Sequence, residues 1–151
     1  DRFIEYLRSS IAMGDAHLVS KDGTCPAAPS TWGWKTTGTP DNEATYGQGA
    51  KIGWIVGKEI YLDMKAALSV IKTFSTRLGN HLGSSERAIS KALFEAGMLT
   101  KHDKDRHTAK VTVEGRRTNV ICLPADLIMD IKKIEREPTE DDETPEYKSP
   151  F

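Results

Sequence analysis

The chain is short of almost everything that names a chemistry. Its two cysteines, Cys25 and Cys122, lie far apart and in no CxxC pattern. That points to reduced thiols in a cytoplasmic protein rather than a disulfide framework, with one bridge between the two as the alternative. The four histidines, His17, His81, His102 and His107, share no spacing with those cysteines that would put them on one metal. His102 and His107 flank a charged loop expected to face water or, at most, a phosphate. No apolar run approaches the length of a membrane span or a signal peptide, so no membrane partner is expected. The glycines of residues 47–53 fail as a nucleotide loop: the third falls one residue late for GxGxxG, no GK[ST] follows, and the stretch leads into a strand rather than a helix. No paired carboxylates and no Ser/His/Asp or Cys/His arrangement can be made out. Neither catalysis, nor a cofactor, nor a metal is expected.

A strong net charge is also lacking, the formal value being -1. The balance is uneven, however. Residues 135–151 hold seven acids and two bases and are rich in Pro, Glu, Asp and Thr, the composition of a disordered acidic tail. Residues 1–134 are left with 15 acids and 19 bases, a net +4, and residues 62–134 alone with 8 and 13, a net +5. A chain of 151 residues can bury one respectable core, so one domain over 1–134 and a tail are expected. Opening on Asp1-Arg2 rather than Met is expected of a piece of a longer protein.

What the chain does have is an order of elements. Ser84-Ser85 can cap a helix start and Gly97 can end it in the left-handed conformation. Between them Ile89, Ala92, Leu93 and Ala96 share one face, which is expected to dock on a core, with Ala88, Ala92 and Ala96 permitting close helix approach. Ser85, Arg87, Ser90 and Lys91 are left for solvent or a phosphate. Met98 and Leu99 plug the base. Val111 and Val113 alternate with Lys110 and Thr112, and a second apolar run covers 120–123; Glu114-Gly115 between them signals a hairpin. Arg116 and Arg117 flank that turn, with Lys110 near them across the hairpin. Basic residues on such a wing suit a sugar-phosphate backbone, while a solvated edge that blocks aggregation is the plainer alternative.

Upstream, Phe3, Ile4, Leu7 and Ile11 keep helical spacing up to Gly14, and residues 16–19 suit a short strand. Residues 21–45, crowded with Gly, Pro, Thr, Ser and Asp, read as irregular chain. Trp32 and Trp34 would share a strand face, and with Trp54 they form either the core of a small β-rich region or a stacking platform for unpaired bases. Residues 51–56 pair with 58–62 across Gly57. Asp63 caps a helix whose buried stripe is Ala67, Val70, Ile71, Phe74 and Leu78, closed by Gly79. Leu127, Ile128, Ile131 and Ile134 continue as a last helical segment. The expected fold is α+β: a winged helix-turn-helix with an enlarged, Trp-containing β-rich insertion over about 19–58, after the first helix, and residues 85–96 as recognition helix.

The phrases Phe3-Ile4-Glu5-Tyr6-Leu7, Ala16-His17-Leu18, Trp32-Gly33-Trp34, Ile52-Gly53-Trp54, Tyr61-Leu62-Asp63, Ala96-Gly97-Met98-Leu99 and Glu114-Gly115-Arg116-Arg117 resemble the C-terminal region of primase/helicase-type replication proteins of phages, plasmids and integrated elements. The resemblance spans roughly residues 3–129. It implies a terminal winged helix that grips DNA or regulates an upstream motor or polymerase. Asp141-Asp142-Glu143 with a terminal Pro150-Phe151 resembles the acidic tip of bacterial single-stranded DNA-binding proteins, which docks replication partners; Lys148 and the 145–149 spacer depart from that pattern.

The expected function is therefore DNA binding, to duplex or fork, through Ser85, Arg87, Ser90 and Lys91 on the helix and Lys110, Arg116 and Arg117 on the wing. A protein-interaction module that docks the parent motor, with an apolar patch at Phe94 and the tryptophans, is the second reading. A winged-helix transcriptional regulator is the third.

Overall fold

The first helix, α1 (Arg2–Ala12), forms where the spacing places it. Phe3, Ile4, Leu7 and Ile11 are all buried along one stripe. Each such side chain removed from water contributes about 1.5–3 kcal/mol before entropy is charged against it. The computed structural model describes residues 2–79 and 83–128. The acidic tail, residues 80–82 of the turn, and Ile131 and Ile134 of the expected last helix lie outside the described residues. Residues 125–127 form a single 3-10 turn.

After α1 come β1 (Ala16–Ser20), a 3-10 turn (Pro29–Trp32), β2 (Trp34–Thr39), β3 (Asn42–Gly47), β4 (Ala50–Val56), β5 (Glu59–Leu62), α2 (Met64–Arg77), α3 (Glu86–Glu95), β6 (Ala109–Val113) and β7 (Arg116–Pro124). The fold is mixed α+β, with three helices among the described residues and a mostly antiparallel five-stranded sheet in the order β1-β4-β5-β7-β6. Only β1 and β4 run parallel.

The register divides the sheet into two faces, because directly paired antiparallel residues share a side and neighbours along a strand alternate. Ile60, Leu62, Ile121 and Leu123 face the helices and build the main core with α1, α2, Ile89 and Leu93 of α3, and Ile52. Trp54, Tyr61, Ala109, Val111, Val113, Val120 and Cys122 line the other face and form a second core with Val19. Ile52 and Trp54, two apart, fall in different cores because the β1–β4 register slips between His17 and Leu18. The slip is a β-bulge, which absorbs the extra residue.

The segment expected to be irregular is partly ordered. β2 and β3 pair from Trp34↔Gly47 to Thr39↔Asn42 as a separate two-stranded ribbon, turning at Pro40-Asp41. It carries no apolar alternation because it is exposed along nearly its whole length. Its threonines suit the extended backbone, and Thr36 and Thr45 bond across it at 2.9 Å.

The tryptophan expectation needs one correction. Trp32 belongs to the 3-10 turn and Trp34 to the strand after it, so they do not share a strand face. Trp32 is buried in the main core. Trp34 donates its indole N–H to Leu18 O at 2.7 Å, and Trp54 is buried in the second core. All three pack into the structure, Trp34 only in part, in keeping with the core role rather than the stacking platform.

Candidate nucleic-acid interface

Helix α3 begins as its serines predict. Ser85 is the N-cap, its Oγ accepting the Ala88 N–H at 3.1 Å. The helix ends in a left-handed Gly97 (φ 73°), with Gly97 N–H donating to Phe94 O and Met98 N–H to Leu93 O, both at 3.0 Å. This pair of bonds is the Schellman closure, which only a residue at ease with positive φ completes without strain. Met98 and Leu99 pack half-buried against the main core, as expected.

The helix is rotated relative to expectation. Ile89 and Leu93 are buried, but so is Ser90, while Ala88, Ala92 and Ala96 are exposed. The alanines do not mediate close helix approach; they are exposed, as are Arg87 and Lys91. Ser90, expected to face solvent, is only 7% exposed. Alanine is small enough to sit on either face, so the large Ile89 and Leu93 set the rotation, and Ser90 beside Ile89 is carried inward with them.

The wing forms at Glu114-Gly115, a two-residue turn with both central residues at positive φ (50° and 75°). Such a turn matches the twist of the strands it joins. Lys110, Arg116 and Arg117 are all exposed. Strand parity sends them from two faces of the hairpin, although Arg116 and Arg117 both border the notch at its base. Arg116 pairs with Val113 and so lies on the second-core side of the sheet, whereas Arg117 pairs with Thr112 and shares the helix side with Lys110, which pairs with Asn119. The helix-side cations are therefore Arg87 and Lys91 on α3 and Lys110 and Arg117 on the wing.

The wing tip is tied down by contacts the sequence does not announce. The first half of β7 runs past the end of β5 and leaves a notch of about 320 Å³ between Arg116–Thr118 and Lys51, Trp54 and Asp63. Glu114 spans it. Its Oε2 accepts Lys51 Nζ and Trp54 Nε1, each at 2.7 Å, and its backbone N–H donates to Lys21 O at 2.8 Å. Lys51 also lies over the Trp54 ring, 5.5 Å from its centroid. The hydrogen bond from Lys51, then that from Trp54, holds the Glu114 carboxyl below the usual carboxylate range. Only long-range pairs carry this latch, so no local pattern could have revealed it.

The linker from α3 to β6 is braced as well. Lys101 donates Nζ to Tyr61 Oη at 2.9 Å, and Thr100 donates its hydroxyl to Glu59 Oε1 at 2.7 Å. That hydrogen bond to Tyr61 raises the Lys101 pKa. His102 and His107 do not simply face water: both pack on Phe94, His107 stacked at 4.7 Å between centroids and His102 edge-on at 5.1 Å.

Two features elsewhere have plain geometry. Cys25 and Cys122 are free; Cys122 is buried, and burial pushes its thiol up to about 11. Gly49 and Gly53 approach backbone closely, a Cβ on either meeting a carbonyl oxygen within 2.4 Å, which is a packing role rather than a phosphate loop. Among the described residues no helix is long and apolar enough to cross a membrane, and no group of three metal-ligating side chains gathers. No family model, no curated protein and no solved structure matches this chain.

Proposed function

We propose that this chain is a DNA-binding domain of the winged-helix type. The order of α2, α3 and the β6–β7 hairpin, with β5, β7 and β6 as neighbouring strands, supports that reading. One observation carries the reading: Lys110 and Arg117 stand on the same side of the sheet as α3, whose solvent face offers Arg87 and Lys91 one turn apart. Two cations one turn apart on an exposed helix can both reach the same run of backbone phosphates. The resemblance in sequence favours the role of accessory domain in a mobile-element replication protein, acting on duplex or forked DNA beside a motor. Fluorescence anisotropy at low salt with duplex, forked and single-stranded DNA tests it. Salt-sensitive binding to duplex or fork is expected, and absence of binding to all three overturns it.

One observation favours docking of the parent motor as a second reading. Phe94 is 41% exposed on α3, framed by two imidazoles, which suits a protein surface better than a phosphate.

A further inference from the structure

Beside α3 lies a cavity of about 390 Å³, walled on one side by Arg87 and Ser90 and on the other by Arg106, His107 and Thr108, with Met64 and the carboxylates of Glu86 and Asp105 also in the lining. It opens at the first turn of a ten-residue helix. That turn concentrates positive potential, and Ser85 occupies only the Ala88 N–H among the leading amides.

A second, independent feature points to a ligand. Ser90 is only 7% exposed, lines this cavity, and its hydroxyl has no hydrogen-bond partner among the described residues. A helical serine ordinarily turns its hydroxyl back to the preceding turn or out to water. Ser90 makes no such bond back to its own helix, so its hydroxyl stays free to serve a ligand in the cavity it lines. The two guanidiniums are likewise unspent: neither Arg87 nor Arg106 forms an ion pair among the described residues, although Glu86 and Asp105 line the same cavity.

We infer that this cavity takes one phosphate group, held between the Arg87 and Arg106 guanidiniums with Ser90 Oγ donating from the floor. The inference rests on the DNA-binding reading for its source, a phosphodiester of the DNA backbone, and it adds Arg106 and Ser90 as the residues that fix where α3 sits on the strand. Guanidinium suits the task because its planar fork offers parallel donors to phosphate oxygens. His107 is held against Phe94 at the rim and adds a further donor.

The test uses the full chain in two arms. In the first, a short duplex is titrated by anisotropy between about 50 and 200 mM salt, with R106A, S90V and S90T beside the wild type. R106A is expected to weaken binding several-fold at low salt and to reduce the salt slope by about one. S90V is expected to weaken it about threefold, and S90T, which restores the hydroxyl, to recover it. Duplex binding by the wild type with unchanged affinity and slope in R106A overturns the cavity and leaves the DNA reading standing. In the second arm, inorganic phosphate is titrated while amide resonances are followed. Shifts at Arg87, Ser90 and Arg106 that vanish in R106A support the site even if duplex binding fails; no shift at those amides overturns it.

Discussion

Glu114 at the wing tip accepts the indole N–H of Trp54 at 2.7 Å across 60 positions of chain. The same oxygen accepts Lys51 Nζ, so one carboxylate fastens the last hairpin to the strand that follows the ribbon. Trp54 is only 7% exposed, and its N–H has no other partner among the described residues.

Removing that acceptor should cost more than a surface ion pair does. Glu114→Ala is expected to lower stability by about 1–3 kcal/mol, the cost of an unsatisfied buried donor, against roughly 0–1 for an exposed pair. Urea denaturation measures it, and a double-mutant cycle with Trp54→Phe should show the two residues coupled. Additive losses would mean that the latch holds nothing.

Acid should open the latch. The folded-state pKa of Glu114 is depressed, so its contribution is present in full above the ordinary glutamate value and is lost as pH falls through the lower, folded one. Trp54 sits in the bond being broken. Its fluorescence is expected to titrate with a midpoint below the usual carboxylate range, and Glu114→Gln should abolish that transition.

The two arginines of the wing should not be equivalent. Arg117 shares the helix side with Lys110, and Arg116 lies on the second-core side near Glu114. Arg117→Ala is expected to weaken duplex binding several-fold with a smaller salt slope, and Arg116→Ala to change it less. Melting temperatures should barely move for either, since both are exposed and substitutions there usually stay within about 0.5 kcal/mol. Equal losses for the pair would mean that the wing approaches DNA along its edge instead.

Two neighbouring glycines make a sharper packing test. A Cβ at Gly53 would meet Tyr61 O at 2.4 Å, whereas one at Gly57 meets nothing within 4 Å and suffers only from its φ of +63°. Gly57→Ala is expected to cost about 1–2 kcal/mol. Gly53→Ala should cost upward of about 3, because backbone must move. Comparison by denaturant midpoint separates them.

The parts legible in the sequence were those where one large side chain after another pointed the same way. The α1 stripe, the caps at Asp63 and Ser85, the closure at Gly97 and the turn at Glu114-Gly115 all depend on neighbours in the chain, and all stand where they were read. The face of α3 was misjudged because alanine does not discriminate between inside and outside. The β2–β3 ribbon was missed because a strand solvated on both sides has no period-2 signal to give. The division of the wing's cations between two faces follows from strand parity. That parity was available once the hairpin register was known, but the pair Arg116-Arg117 reads on the page as one basic spot. The Ser90 cavity depends on a loop folding back against α3, which no local pattern records.

The ribbon has a neck. Gln48 N–H donates to Gly33 O at 3.0 Å where its two strands meet the body, and beyond Trp34, which packs on both cores, and its partner Gly47 the side chains stand in water. Growth or shortening of the finger past the Trp34–Gly47 pair leaves both cores undisturbed, since residues 35–46 lend neither of them a side chain. A protein so built can change the reach of one appendage, copy by copy, without renegotiating its stability each time.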